Sequence, residues 1–203
     1  MATRPRATDG IYELEVTLRE SEPRIWRRVA VPADIRLSKL HLVVQCAMGW
    51  TDSHLHQFVT DDGVRYESKD PELDPDSAAR DEARARLNSL LRTPGERLSY
   101  DYDYGDGWEH DVVLVRVCAP DPALAYPLCL AGERACPPED CGWLTGYYSI
   151  LEIVGNPQHE EHEEMQEWLG EGFDPAAFDR DEVNELLASV LSDRRSRTLR
   201  IVK

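Results

Sequence analysis

Four stretches alternate with a period of two, and that pattern restricts the chain to a sheet-based fold. In Ile11-Tyr-Glu-Leu-Glu-Val-Thr-Leu18, Glu13, Glu15 and Thr17 face away from Tyr12, Leu14 and Val16, as in a strand buried on one side. Arg24 to Val31 reads as a second strand that stops at Pro32, with Ser21-Glu-Pro23 as the turn between them. Arg97-Leu-Ser-Tyr100-Asp-Tyr102-Asp-Tyr104 and Trp108 to Val117 repeat the arrangement around Gly105-Asp-Gly107. Two hairpins of this kind belong in one antiparallel sheet.

The remaining segments supply shorter strands and helices. Ser38 is placed to cap a helix through Leu40, Val43, Val44, Ala47 and Met48, ending near Gly49. His54 to Thr60 is strand-like, Asp61-Asp62-Gly63 is a turn signal, and Val64-Arg-Tyr66 returns as a short strand. Lys69 to Asp76 reads as an exposed loop, and Ser77 to Leu91 carries helix-forming Ala, Arg and Leu. Three more helices are expected over Thr145–Val154, Glu160–Leu169 and Asp181–Leu191. Strands first and helices last predict one α+β domain over residues 11–191. Residues 1–10 and the basic stretch 192–203 read as tails. A chain of 203 residues can bury a core without disulfide staples.

Charge narrows the partners. The formal net charge is −16, and Ala135 to Asp179 contains neither Lys nor Arg. Such a surface repels a phosphate backbone, which is bound through Lys and Arg. Specific nucleic-acid binding is therefore not expected, although Arg194, Arg195, Arg197, Arg200 and Lys203 leave one basic end. No stretch has the apolar length of a membrane span. The first ten residues lack the apolar core of a secretory signal, so a cytoplasmic location and five reduced cysteines are expected.

Chemistry concentrates in two places. The run Cys129-Leu-Ala-Gly-Glu-Arg-Ala-Cys136-Pro-Pro-Glu139-Asp140-Cys141-Gly-Trp143 is expected to be neither helix nor strand. Its three cysteines with His110, or with His54 or His56, meet the ligand count of a zinc site but lack the tight Cys-x-x-Cys spacing. Without metal they are buried thiols, and Glu139 and Asp140 cap the following helix. In the second hairpin Tyr100, Tyr102 and Tyr104 share one face, with Trp108 and His110 on the return strand. That row is either core or a ligand wall. The run from Asp101 to Gly107 fails as a calcium loop, because Gly105 and Val112 stand at ligand positions. His54-Leu-His56 places two imidazoles on one strand face, and His159 and His162 are neighbours on a helix, but neither pair has metalloprotease spacing. No nucleophile elbow, phosphate loop or dinucleotide fingerprint is present.

Several motifs in fixed order carry a resemblance. They are Tyr102-Asp-Tyr104-Gly-Asp106-Gly-Trp108-Glu-His110, the cysteine and proline run, Asn156-Pro-Gln-His159-Glu-Glu-His162, and Phe173-Asp-Pro-Ala-Ala-Phe178-Asp with Val183-Asn184. With Ile25-Trp26-Arg27 and His54-Leu-His56-Gln-Phe58, they make the chain resemble the plasmid pRi ORF-3-like family from about Ile11 to Leu187. The chain departs from the family pattern at Cys141, where Val is common, and at Trp143, where Gly is usual. The resemblance implies a compact α+β fold, an association with mobile elements, and for some members a resolvase label. That label finds no support here. No His is followed three positions later by Arg, as a tyrosine recombinase requires, and Ser21 between two glutamates is a poor serine-recombinase nucleophile.

The reading that follows is a cytoplasmic, non-enzymatic interaction module with a protein partner and no cofactor. Its binding residues would be His56, Tyr102, Tyr104, Asp106, Trp108, His110, Glu139 and Asp140. The alternatives are a zinc protein or hydrolase built on Cys129, Cys136, Cys141 and His110, and a DNA-associated accessory protein using the C-terminal arginines.

Overall fold

The alternation seen in the sequence becomes the buried face of one eight-stranded sheet. In the computed structural model, which describes residues 10–69, 77–170 and 172–192, strand β1 (Ile11–Leu18) buries Leu14, Val16 and Leu18 and turns Glu13, Glu15 and Thr17 outward. It pairs antiparallel with β2 (Trp26–Pro32) through a hairpin held by Ser21, whose hydroxyl donates to the Leu18 carbonyl and accepts the Ile25 N–H. The second hairpin, β6 (Arg97–Tyr102) with β7 (Trp108–Cys118), buries Leu98, Tyr100, Tyr102, Trp108, His110, Val112 and Leu114. With β3 (His56–Thr60), β4 (Arg65–Glu67), β5 (Arg80–Asp81) and β8 (Leu128–Glu133) the order is β5-β4-β3-β6-β7-β1-β2-β8. Every pairing is antiparallel except β4 with β5, so the fold is α+β as the sequence predicts.

Helix α1 (Leu37–Met48) packs on the buried face. It is buried on nearly all sides, from Leu37 and Leu40 through Val43, Val44 and Gln45 to Met48. Ser38 is not its cap. The helix starts two residues earlier, after Arg36, with no side-chain cap, and the Leu37 N–H is met by the Ala85 carbonyl instead. Gly49 ends it in the left-handed region, as expected. Helices α3 (Trp143–Val154), α4 (His162–Leu169) and α5 (Arg180–Ser192) follow the sheet, close to their expected bounds.

Three further expectations need correction. Ser77 to Leu91 forms only the short helix α2 (Leu87–Leu90). Its backbone is drawn into other partners: Arg80–Asp81 pairs with β4, and the N–H groups of Leu87 and Asn88 bond to Ile35 and Ala33. Local helix propensity loses to these tertiary hydrogen bonds. The cysteine run is irregular only beyond β8, because Leu128–Glu133, free of proline, pairs as an edge strand with β2. Tyr104 does not share the face of Tyr100 and Tyr102. Asp103 adopts φ 56, the strand ends at Tyr102, and Tyr104 is 53% exposed. The expected tails, 1–10 and 192–203, lie outside the described residues except for residues 10 and 192, as does most of the expected acidic loop, over 70–76.

Candidate functional site

One end of the sheet brings together three segments that are far apart in sequence: Trp50–Leu55 after α1, the β6–β7 turn, and the proline loop before α3. Trp50 is the pin. Its indole stacks on Tyr102 at 5.0 Å, meets His110 edge-on at 5.2 Å, and donates to the Pro137 carbonyl at 3.0 Å. Tyr102 donates its hydroxyl to Glu139 and accepts the Ser53 N–H at 3.0 Å. The second oxygen of Glu139 accepts the N–H and the hydroxyl of Thr51. Asp106 accepts the Gly142 N–H at 3.1 Å, and the Asp103 N–H donates to the Leu55 carbonyl at 2.9 Å. Gly146 lets α3 close on the loop, since a Cβ there would lie 1.9 Å from the Cys141 carbonyl oxygen.

His54, Asp103 and Asp140 converge at this junction. His54 Nε2 lies 3.6 Å from Asp103 Oδ2 and 3.4 Å from Asp140 Oδ1, and the three ligand atoms are within 4.8 Å of one another. Both aspartates have positive φ, a conformation that Asp tolerates better than most residues. The Asp103 side chain is 7% exposed, and its Oδ1 is fixed by the N–H groups of Gly105 and Asp106. That leaves Oδ2 directed toward the imidazole. His54 Nε2 is shielded from water and makes no hydrogen bond. Two carboxylate oxygens and a ring nitrogen facing one another this closely are reconciled by a proton on Nε2 or by a cation between them. Ligands about 2.1 Å from a tetrahedral zinc-type ion lie about 3.4 Å apart, close to the two distances from His54 Nε2. Asp140 is 75% exposed, so one side of the cluster faces solvent.

A second His–carboxylate group lies inside the fold. His41 and His56 stack face to face, with centroids 3.5 Å apart and planes within 3°. His56 Nε2 is 2.9 Å from the buried carboxylate of Glu82. His41 belongs to a closed ring of hydrogen bonds. The Asp52 N–H donates to Gln45 Oε1 at 2.9 Å, and Gln45 Nε2 donates to the Tyr100 hydroxyl at 2.9 Å. With Gln45 donating to it, the Tyr100 hydroxyl has its proton available for neutral His41 Nδ1 at 2.8 Å, and His41 Nε2–H faces Asp52 at 2.7 Å. A neutral His41 accords with a pKa lowered chiefly by burial. Although His41, Asp52 and His56 are close enough to share an ion, the stacking opposes it. An ion in the plane of one ring would lie roughly 3.5 Å out of the plane of the other, against a bond of about 2.1 Å.

The expected cysteine site does not assemble. Among the described residues, no group close enough to share an ion contains a cysteine or His110. Cys129 is buried and its thiol faces the Ala131 carbonyl, while Cys141 faces the Trp143 carbonyl. Burial raises the thiol pKa of Cys129, and pushes Cys136 and Cys141 up to about 12, so these sulfurs stay protonated. His110 donates Nδ1–H to the Tyr100 carbonyl, and burial lowers its pKa to about 4. Trp108 is fully buried as core. Glu139 and Asp140 are not helix caps. The residue before α3 is Gly142 with φ 81 and no side-chain cap, and the two carboxylates turn to Thr51, Tyr102 and His54 instead. His54 and His56 also part: one reaches the junction, the other the interior.

Of the residues expected from sequence, Tyr102, Asp106, Glu139 and Asp140 meet at the junction, while Tyr104 is exposed in the β6–β7 turn. His54 was visible as half of a possible chelating pair. Asp103, His41, Gln45, Asp52 and Glu82 were missed. The repeated Asp-Tyr of the hairpin and the four-residue spacing of His41 and Gln45 on α1 were the available signals.

Residues 10–182 match the family described as plasmid pRiA4b ORF-3-like protein. The chain belongs to that family. It is 40% identical over 178 residues to the uncharacterized protein y4hQ of Sinorhizobium fredii, covering 87% of this chain and 90% of the relative. A crystal structure of a protein of unknown function, MM3350 from Methanosarcina mazei, superimposes with a TM-score of 0.77 at 35% identity. That match covers 85% of this chain and 97% of the other. Among the described residues, no helix is long and apolar enough to cross a membrane.

Proposed function

We propose that this ORF-3-like protein is a cytoplasmic, non-enzymatic interaction module of mobile elements that carries a divalent cation at His54, Asp103 and Asp140. The reading rests above all on one observation: the shielded, unbonded Nε2 of His54 faces two carboxylate oxygens at ligand spacing. A nitrogen with two carboxylates suits zinc or manganese. Exposed Leu55 and Tyr104 belong to two of the segments that meet here, and exposed Trp143 opens α3 directly after the third. A protein partner would contact these side chains and complete the coordination from the Asp140 side.

Binding is favoured over hydrolysis because the nearby acid–base groups are committed elsewhere. Both oxygens of Glu139 and one of Asp106 accept hydrogen bonds that hold the junction together. Calorimetric titration of the metal-stripped protein with zinc is expected to give about one equivalent and a raised melting temperature. Asp103→Asn and Asp140→Asn should each weaken binding at least tenfold, whereas Cys129→Ser and Cys136→Ser should leave the stoichiometry intact. Absence of binding by both zinc and manganese, or aspartate variants that bind normally, would refute the cation. Metal-dependent turnover of an activated phosphodiester would instead favour the hydrolase. A duplex-DNA titration is expected to show no sequence-dependent binding, given the acidic surface.

A further inference from the structure

Arg27, bonded to the last turn of α1, is a buried cation that makes no ion pair among the described residues. It is 3% exposed. Its Nε donates to the Ala47 carbonyl at 2.7 Å, and Nη1 donates to the carbonyls of Trp26 and Glu133 at 2.8 and 2.9 Å. All three acceptors are neutral. The Ala47 carbonyl belongs to the last turn of α1, whose dipole offers partial compensation. Among the described residues, no carboxylate lies within 4.0 Å of the guanidinium, and Nη2 has no hydrogen-bond partner. Burial lowers its pKa, as expected for a charge held away from water.

The surroundings hold this group in one orientation. The Phe178 ring lies over the guanidinium at 4.5 Å. Gly132 on β8 makes room for both, because a Cβ there would lie 2.7 Å from Phe178 Cζ and 2.8 Å from Arg27 Cδ. Arg27 lines an open groove of about 560 Å³ with Ala47, Met48, Phe178, Val183 and Leu186. That volume lies within the range of small-molecule sites, and an apolar wall with a few placed polar groups is their usual composition. Asp179 and Glu182 also line it, and one oxygen of Asp179 is occupied in capping α5.

We propose that this groove binds a small monocarboxylate with an apolar body, its carboxylate accepting from Arg27 Nη2. The unpaired guanidinium calls for an anion, and charge-assisted bonds of arginine to carboxylate are strong. The apolar wall calls for a hydrocarbon body. The two acidic residues of the lining disfavour a dianion such as phosphate.

Octanoate is the probe, with 1-octanol as its uncharged counterpart and inorganic phosphate as the apolar-free anion. The full-length protein is titrated calorimetrically, and the Arg27 Nε–H resonance is followed by NMR. Saturable octanoate binding at least tenfold tighter than octanol, with a shift of that resonance, is expected. Ala177→Trp narrows the exposed lip without touching the guanidinium bonds and should abolish binding. Arg27→Gln should weaken octanoate at least tenfold, leave octanol unchanged, and serve as a second test if it folds. Asp103→Asn should bind octanoate normally, which separates this site from the cation site. Equal affinity for octanoate and octanol, displacement of octanoate by phosphate, or unaltered binding in Ala177→Trp would overturn the proposal, as would no binding at all.

Discussion

Two histidine–carboxylate groups grow from one short segment, His54-Leu-His56, and their hydrogen bonding could hardly differ more. The interior group is closed. Every polar atom of the ring through Asp52, Gln45, Tyr100 and His41 has a partner. The junction group is open. His54 Nε2 has none, and only acceptors face it. Identical residue types therefore carry different meanings. A satisfied buried network specifies and rigidifies a core, whereas carboxylates converging on an unbonded ring nitrogen leave a place for a proton or a cation. Residue composition alone would score both groups as metal sites. The direction of each donor and the plane of each ring tell them apart.

The contrast is tested most strongly by acid. His110 lies in the interior beside Tyr100, and its folded pKa of about 4 sits below the ordinary histidine value. The unfolded chain therefore binds the extra proton first. Stability should be unaffected above about pH 6.5, fall as the pH drops, and have lost about 3 kcal/mol from this group by about pH 4. Urea melts across that window, with a parallel NMR titration of His110, check it. A His110 that titrates near the ordinary value would remove the distinction between interior and rim.

Tyr100→Phe comes next. It strands Gln45 Nε2 and His41 Nδ1 inside the core and should cost about 2 kcal/mol in urea melts. Glu139→Gln sharpens the boundary between the two regions. It keeps the shape but weakens the contacts to Thr51 and Tyr102, with an expected loss of about 1 kcal/mol. The smallest effect is expected at the rim. In metal-free protein Asp140→Asn should change stability by less than about 0.5 kcal/mol, since its carboxylate is exposed and its contact with His54 across the junction is a solvent-screened one. A large loss there would make Asp140 a structural residue and break the comparison from the other side.

Alternation and turn chemistry made the hairpins legible. Leu14, Val16 and Leu18, and again Leu98, Tyr100 and Tyr102, point inward at every second position because strand geometry leaves no other choice. Gly49 and the turn at Asp61-Asp62-Gly63 were readable for the same local reason. The errors fall where a local preference met a stronger distant partner. Ser77 to Leu91 has a helical composition, yet β4, Ile35 and Ala33 take its backbone. Glu139 and Asp140 stand where helix caps stand, yet Thr51, Tyr102 and His54 draw them across the junction.

The sequence by itself determined the α+β class, the antiparallel hairpins, the acidic surface and the two stretches in which chemistry concentrates. These depend on periodicity and composition, which neighbouring residues carry. Only the tertiary structure decided that the thiols are buried and apart, that His54 and His56 serve different groups, and that Asp103 and Arg27 matter at all. Each of these depends on the distance and direction between side chains from separate elements. That information arises when the sheet brings α1, the β6–β7 turn and the proline loop to one end, because a hydrogen bond or a ligand geometry is fixed to fractions of an ångström by packing rather than by spacing along the chain.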